Sequence, residues 1–280
     1  MNNITIDDYI KQALLEDIGD GDVTSISCIP LNTISKANLI LKEDGIIAGI
    51  DIAKRIFEIV DPFLEVEIKK SDGEELKKGE ILLIVKGNAR SILAAERLVL
   101  NIMQRMSGIA TKTNSLAKII KDYHTKILDT RKTTPNFRLF EKMAVKIGGG
   151  CNHRFGLYDM ILIKDNHIDY AGGIANAIGA ANSFIKTSGK DLKIEIEARN
   201  LEEVEEIVAL GNIDRIMLDN FHPGVIRMAL DIINKRFETE ASGNINADTI
   251  LDYAKTGVDF ISVGALTHSY KSLDMSLKAF

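Results

Sequence analysis

From Lys126 onward the chain repeats one pattern: a short apolar run, a helical stretch, then another apolar run. Few folds accept this pattern, because strands joined through helices pair in parallel and need both faces covered. The spacing predicts strands at Lys126–Thr130, Met160–Lys164, Leu192–Glu197, Arg215–Asp219, Phe237–Ala241 and Phe260–Gly264. A closed barrel of this type needs about two strands more. The expected fold class is therefore α/β, with an incomplete parallel α/β barrel of about six strands over residues 111–269.

Before residue 110 the rhythm differs. Tyr9, Ile10, Ala13, Leu14 and Ile18 have the spacing of one helical face, and Gly19–Ser25 has the composition of a loop. Ala37–Leu41 and Leu64–Ile68 alternate as half-buried strands around a helical Ile50–Val60, and Ile81–Val85 is a short apolar strand. Helical patterning then runs from Ala89 to about Met106 and resumes from Thr111 to Tyr123. Residues 1–110 are thus expected to form a separate, smaller domain. The 280 residues suffice for both.

Bulk properties exclude several classes of function. A net charge of −5 gives no global basic field for nucleic acid, and no uncharged apolar run is long enough to span a bilayer. The first twenty residues are polar and acidic, unlike a secretion signal. The two cysteines, Cys28 and Cys151, lie far apart, which argues against a disulfide scaffold and fits a reducing cytoplasm.

Barrels of this kind carry their active sites at the carboxyl ends of the strands. The predicted ends read Asp129-Thr130-Arg131-Lys132, Lys164-Asp165-Asn166-His167, Glu195-Ile196-Glu197, Asp219-Asn220, Ala241-Ser242-Gly243-Asn244 and Val263-Gly264-Ala265. Gly148-Gly149-Gly150-Cys151-Asn152-His153-Arg154 precedes the second strand. Early strands supply cations; later ones supply acids and glycine turns. Between Asp129 and Asp165 seven Lys or Arg face four acids, a local +3 in an acidic protein. Such a pocket suits a small substrate with several carboxylates or phosphates. Ser242-Gly243-Asn244 and Gly264-Ala265 can offer backbone N–H groups to a phosphate. Glu197 and Asp219 can hold ribose hydroxyls, or Mg²⁺ directly or through water.

Plainer readings compete. Lys164 closes the apolar run Met-Ile-Leu-Ile, where a lysine needs a partner, and Glu197 or Asp219 could be that partner. Glu195 and Glu197 face the same way, so spacing does not choose between them; Glu197 is favoured as nearer the carboxyl end. Asn166 and His167 fit a helix cap. Arg138, Lys142 and Lys146 fit a solvated helix face, and His124, His222 and both cysteines fit structural positions.

The ordered motifs carry a resemblance. LLEDIGDGDVTS (14–25), EDGIIAG (43–49), ERLVLNIMQRMSGIAT (96–111), DTRKTTP (129–135), GGGCNHRFGLYDMILIKDNH (148–167), IEIEA (194–198), MLDN (217–220), EASGNI (240–245) and GVDFISVGALTHS (257–269) resemble the quinolinate phosphoribosyltransferases nearly end to end. The resemblance implies an N-terminal α/β sandwich domain, a tail (270–280) returning to it, and a homodimer with shared active sites, alone or within a larger assembly. It implies transfer of phosphoribose from phosphoribosyl pyrophosphate to quinolinate with Mg²⁺ and loss of CO₂, within NAD biosynthesis. By position, Arg97 resembles an arginine supplied by the neighbouring subunit. Arg131, His153 and Arg154, beside Thr130, resemble quinolinate binders. Lys132 and Lys164 fall between the two substrates, and Glu197 and Asp219 near ribose and metal. Ser242, Gly243, Asn244, Val263, Gly264 and Ala265 form the phosphate turns. The family's commoner Ser-Gly-Gly is here Ser-Gly-Asn; asparagine also tolerates positive φ. The competing functions are a related phosphoribosyltransferase with another acceptor, a Schiff-base lyase using Lys164, and a non-catalytic nucleotide sensor.

Overall fold

The structure, a computed structural model, describes residues 5–280. In chain order the elements are α1 (Ile6–Ile18), α2 (Val23–Cys28), β1 (Ile34–Leu41), β2 (Gly45–Ile46), α3 (Ile50–Val60), β3 (Glu65–Ile68), β4 (Glu75–Leu76), β5 (Ile81–Asn88) and α4 (Ala89–Ile119). They continue with β6 (Lys126–Leu128), α5 (Arg138–Ile147), β7 (Ile161–Ile163), α6 (Asp165–Ala171), α7 (Ile174–Ser188), β8 (Ile194–Ala198), α8 (Leu201–Leu210), β9 (Arg215–Asp219), α9 (Pro223–Ile233), β10 (Glu238–Ser242), α10 (Ile250–Ala254), β11 (Phe260–Ser262), α11 (Ala265–His268) and β12 (Met275–Ala279).

The chain divides into two compact units. One holds the residues up to Lys112 with Leu139–Gly148 and Tyr270–Phe280; the other holds Thr113–Arg138 and Gly149–Ser269. The segment 139–148, expected within the barrel, thus belongs to the first unit. The sequence reading took its cations for a solvated face, yet Lys142 is 1% exposed and Glu141 is fully buried, with only Lys146 left exposed. Local periodicity reports an apolar stripe but not which charges a neighbouring element covers.

In the first unit an antiparallel sheet runs β12-β1-β5-β3, so the C-terminal strand forms its edge against β1. Helix α3 buries Ile52, Ala53, Ile56 and Phe57, the stripe that its 3.6-residue period predicts. Two local expectations fail for identifiable reasons. Gly19–Ser25 is not all loop: Asp22 Oδ1 accepts from the N–H groups of Thr24 and Ser25 and starts α2. The expected break between Met106 and Thr111 is absent, and α4 runs through it. Gly108 there serves close approach, since a Cβ would lie 2.2 Å from the Lys271 carbonyl oxygen.

The second unit is built on a six-stranded parallel sheet in the order β6-β11-β10-β9-β8-β7. Every residue of β8 (Ile-Glu-Ile-Glu-Ala) is buried, as a strand covered on both faces must be. Two of those buried residues are glutamates, so this strand carries charge into the interior.

Candidate active site

The sheet order strings the strand ends along one arc. β6 leads into Asp129-Thr130-Arg131-Lys132 and β11 into Val263-Gly264-Ala265; β10 ends at Ser242, β9 at Asp219, β8 carries Glu197, and β7 leads into Lys164. The cations therefore stand on the two edge strands, with acids and glycine turns on the four between. The early-cation, late-acid division of the sequence is this spatial division.

The sheet is curled. Cys151 bridges Leu128 in parallel, which sets His153 beside β6. Yet His153 Nε2 lies 3.0 Å from Glu195 on β8 and 3.5 Å from Glu240 on β10. A side chain at one edge touches those strands only across a barrel interior. His153 is pinned elsewhere too: its backbone N–H donates to Asp129 Oδ1 (2.9 Å), and its Nδ1 accepts from the Arg154 backbone N–H (2.7 Å). An accepting Nδ1 puts the proton of the neutral ring on Nε2, facing the two acids. The resemblance casts His153 as a quinolinate binder; here both of its ring nitrogens face protein groups.

Beneath the histidine, Arg215 Nη1 stands 3.2 Å from Glu240 Oε2 and 4.0 Å from Glu195 Oε2, and Nη2 is 3.0 Å from Glu238. Its guanidinium covers the Phe260 ring at 4.1 Å. Burial raises the Glu240 carboxyl to about 8, reinforced by the Glu195 charge and partly offset by His153, the Ser262 hydroxyl and Arg215. Burial also raises Glu195, against the pull of Arg215. Burial pulls Arg215 down, but Glu195, Glu240 and Glu238 together hold it above its ordinary value. His153, Glu195 and Glu240 each offer a ligand-type atom within 4.8 Å of the others. Arg215 already supplies a cation to this group, which argues against a metal there.

Towards the strand ends, Lys164 Nζ lies 3.0 Å from Glu197 Oε2, so Glu197 rather than Asp219 is its partner. Lys164 is half exposed and Glu197 nearly buried. Burial and the neighbouring Arg131 both pull Arg154 below its usual value. Two guanidinium groups near enough for one charge to act on the other can share a multiply charged anion. Lys132 runs across Gly264, where an added Cβ would sit 3.1 Å from its Cδ, and its carbonyl accepts from the Thr267 hydroxyl at 2.8 Å.

The turn after β10 is tight. Gly243 has φ +103°, and a Cβ there would meet Asn220 Oδ1 at 2.2 Å. Asn244, the departure from the commoner turn, has φ +51°, a conformation that asparagine accepts. Asn220 Nδ2 donates to Asp219 Oδ2 at 2.6 Å, and its backbone N–H donates to the Ser242 carbonyl at 2.8 Å. Arg97 lies exposed on α4 in the other unit. Arg138 donates to Thr133 Oγ1 and to the Phe155 carbonyl, both at 2.9 Å. His167 Nδ1 accepts from the Lys164 backbone N–H at 2.9 Å, as a helix-capping group does. Sequence reasoning missed Arg215 and Glu240, and it named Asp129 and Asn220 at strand ends without giving them a role. Charge at inward-facing positions of apolar strands was the available signal for Arg215 and Glu240.

Comparison with known proteins identifies the family. The family model for the quinolinate phosphoribosyl transferase C-terminal domain matches residues 109–278, and that for the N-terminal domain matches 22–107. The chain belongs to the quinolinate phosphoribosyltransferase family. Among its relatives, the chloroplastic nicotinate-nucleotide pyrophosphorylase [carboxylating] of Arabidopsis thaliana is 48% identical, covering 96% of this chain and 81% of that protein. A probable nicotinate-nucleotide pyrophosphorylase [carboxylating] of Bacillus subtilis is 43% identical over 99% of this chain and 94% of its own length. The solved nicotinate-nucleotide pyrophosphorylase of Francisella tularensis superposes with a TM-score of 0.92 at 41% identity, covering 100% of this chain and 98% of that one.

Proposed function

We propose that this member of the family transfers phosphoribose from phosphoribosyl pyrophosphate to quinolinate, giving nicotinate mononucleotide, pyrophosphate and CO₂. What supports the reading is the set of cations at the strand ends: Arg131, whose charge is felt at Arg154, and Lys164, paired with Glu197. They are set among strand ends whose acids and glycine turns suit a phosphoribosyl group. A pyridine dicarboxylate and a pyrophosphate ester repel one another, and holding them together is much of the task. Arg131 and Arg154 bind the dicarboxylate, with Thr130 beside them. Lys132 and Lys164 face both substrates. The Ser242-Gly243-Asn244 and Val263-Gly264-Ala265 turns receive phosphate.

The pyridine nitrogen attacks C1 of the ribose as the bond to pyrophosphate breaks, and pyrophosphate leaves with the bonding pair. Lys132 and Lys164 neutralise the departing charge. The ribosylated nitrogen is then positive and draws in the electron pair of the adjacent C–CO₂⁻ bond. CO₂ leaves, and the ring carbon takes a proton. No residue is needed as a base, because the attacking nitrogen carries no proton.

Glu197 and Asp219 are the acids for Mg²⁺, directly or through water. Glu197, one residue short of the end of β8, and Asp219, at the end of β9, stand on adjacent strands, and Glu197 Oε2 faces Lys164. An all-oxygen donor set completed by substrate phosphates fits that ion. When bound, Mg²⁺ adds positive charge at the leaving pyrophosphate. Arg97 acts on the partner's site in a homodimer. The setting is the cytoplasm; among the described residues no helix is long and apolar enough to cross a membrane. Comparing quinolinate with nicotinate as acceptor tests the reading. Product from quinolinate alone is expected, and turnover of nicotinate alone would refute it. A borohydride-trapped adduct at Lys164 would favour the lyase instead.

A further inference from the structure

We propose that Glu195, Glu240 and Arg215 form a buried anchor that sets the His153 ring and, through it, the backbone that presents Arg154. All four would then be positioning residues of the acceptor pocket. This inference rests on the function proposed above and assigns a task to a cluster which that chemistry does not use.

The need for an anchor follows from charge. Arg154 is partly buried beside Arg131, and its value is lowered by both. Two close guanidinium groups repel until an anion arrives, so a pocket built from them stays open for substrate only if their backbone is fixed beforehand. The segment carrying Arg154 follows three consecutive glycines and has little intrinsic stiffness.

The bridge of Cys151 to β6 and the Asp159 carboxylate, which accepts from the Phe155 and Gly156 N–H groups, hold the segment on either side; three contacts fix His153 and the Arg154 N–H between them. The His153 N–H is held by Asp129 Oδ1 (2.9 Å), and Asp129 is fully buried at the end of β6. The Arg154 N–H is held by His153 Nδ1 (2.7 Å). The far side of the ring meets Glu195 Oε2 at 3.0 Å. Without that last contact the ring could turn about its side-chain bonds, and Nδ1 would leave the Arg154 N–H. Glu195 is in turn fixed from below, because Arg215 reaches both it and Glu240 from the strand between them. Buried charge is kept only where it is compensated. Two acids with one arginine beneath a histidine form such a compensated group, sited inside the barrel where it is shielded from substrate.

The test compares Glu195→Leu with Glu195→Gln. The leucine removes the carboxylate that meets His153 at 3.0 Å but leaves Glu240 and Arg215 facing each other; the glutamine keeps a polar side chain of the same size against the ring. Glu195→Leu is expected to raise the KM for quinolinate by about tenfold, with KM for phosphoribosyl pyrophosphate and kcat changed by less than about twofold, as loss of ground-state binding to one substrate requires. Glu195→Gln should stay within about threefold of the parent. Independently of activity, exchange of the Arg154 amide hydrogen should quicken in Glu195→Leu and not in Glu195→Gln. If Glu195→Leu does not fold, His153→Gln takes its place. It keeps a donor for the acids, loses the Nδ1 acceptor, and should free the same amide. Unchanged Arg154 exchange in the folded variant, or equal rises in both KM values, overturns the anchor. Failure of the parent protein to use quinolinate would instead count against the proposed function, while the exchange measurement still judges the anchor.

Discussion

Glu240 offers a sharp test of the interior electrostatics. Its folded-state value of about 8 lies well above the ordinary 4.5, chiefly because it is buried and then because Glu195 is beside it. The sign follows by linkage. Below 4.5 the carboxyl is protonated in both states, and its contribution to stability is fully present. As pH rises towards 8 the unfolded chain releases a proton that the folded chain keeps, so this contribution is lost progressively, at about 1.4 kcal/mol per pH unit. Across the window that amounts to a few kcal/mol, a large share of a typical folding free energy. Glu240→Gln fixes the neutral form in a nearly isosteric side chain. The variant should match the parent near pH 5 and exceed it increasingly up to pH 8. Urea unfolding at several pH values, at constant m, reads the difference directly. A stability difference independent of pH between 5 and 8 would refute the reasoning, and so would a variant that loses ground as pH rises.

Other expectations follow from the strand ends. Gly243→Ala forces a Cβ to within 2.2 Å of Asn220 Oδ1 at φ +103°; it should cost about 1–3 kcal/mol of stability and raise the KM for phosphoribosyl pyrophosphate, both readable from melting and steady-state kinetics. Arg154→Ala should weaken quinolinate binding by about 2–5 kcal/mol in a calorimetric titration, and wild-type affinity would contradict its role. Mixing Arg97→Ala with Lys164→Ala subunits should restore part of the lost activity if Arg97 acts across a dimer; no recovery despite proven subunit exchange would exclude that.

Much of the barrel was legible because parallel strands buried on both faces announce themselves as short apolar runs, and their ends carry polar residues in chain order. Lys164 is the clearest case: a lysine closing an apolar run needs an acid, and Glu197 is there. Asn244 at positive φ likewise matches what its residue type allows. The interior cluster was not legible. Alternation reveals that Glu195 faces inward, but not that Glu240, two strands away, and His153, beside the far edge, close around the same point. Such meetings depend on sheet curvature, which no local pattern encodes. The gap expected between Met106 and Thr111 failed for a related reason: Gly108, within it, marks a close approach by a segment more than 160 residues further along. Lys142 is a further case, a charge read as solvated that is 1% exposed.

The central claim is that the cationic strand ends join a dicarboxylate to phosphoribose and release CO₂. Quinolinate carrying labelled carbon in its 2-carboxyl group, incubated with phosphoribosyl pyrophosphate, Mg²⁺ and the protein, tests it most directly. The account predicts equal amounts of labelled CO₂, pyrophosphate and nicotinate mononucleotide, and none when either substrate is omitted. Pyrophosphate release with the label retained in the product, or no mononucleotide at all, would contradict it.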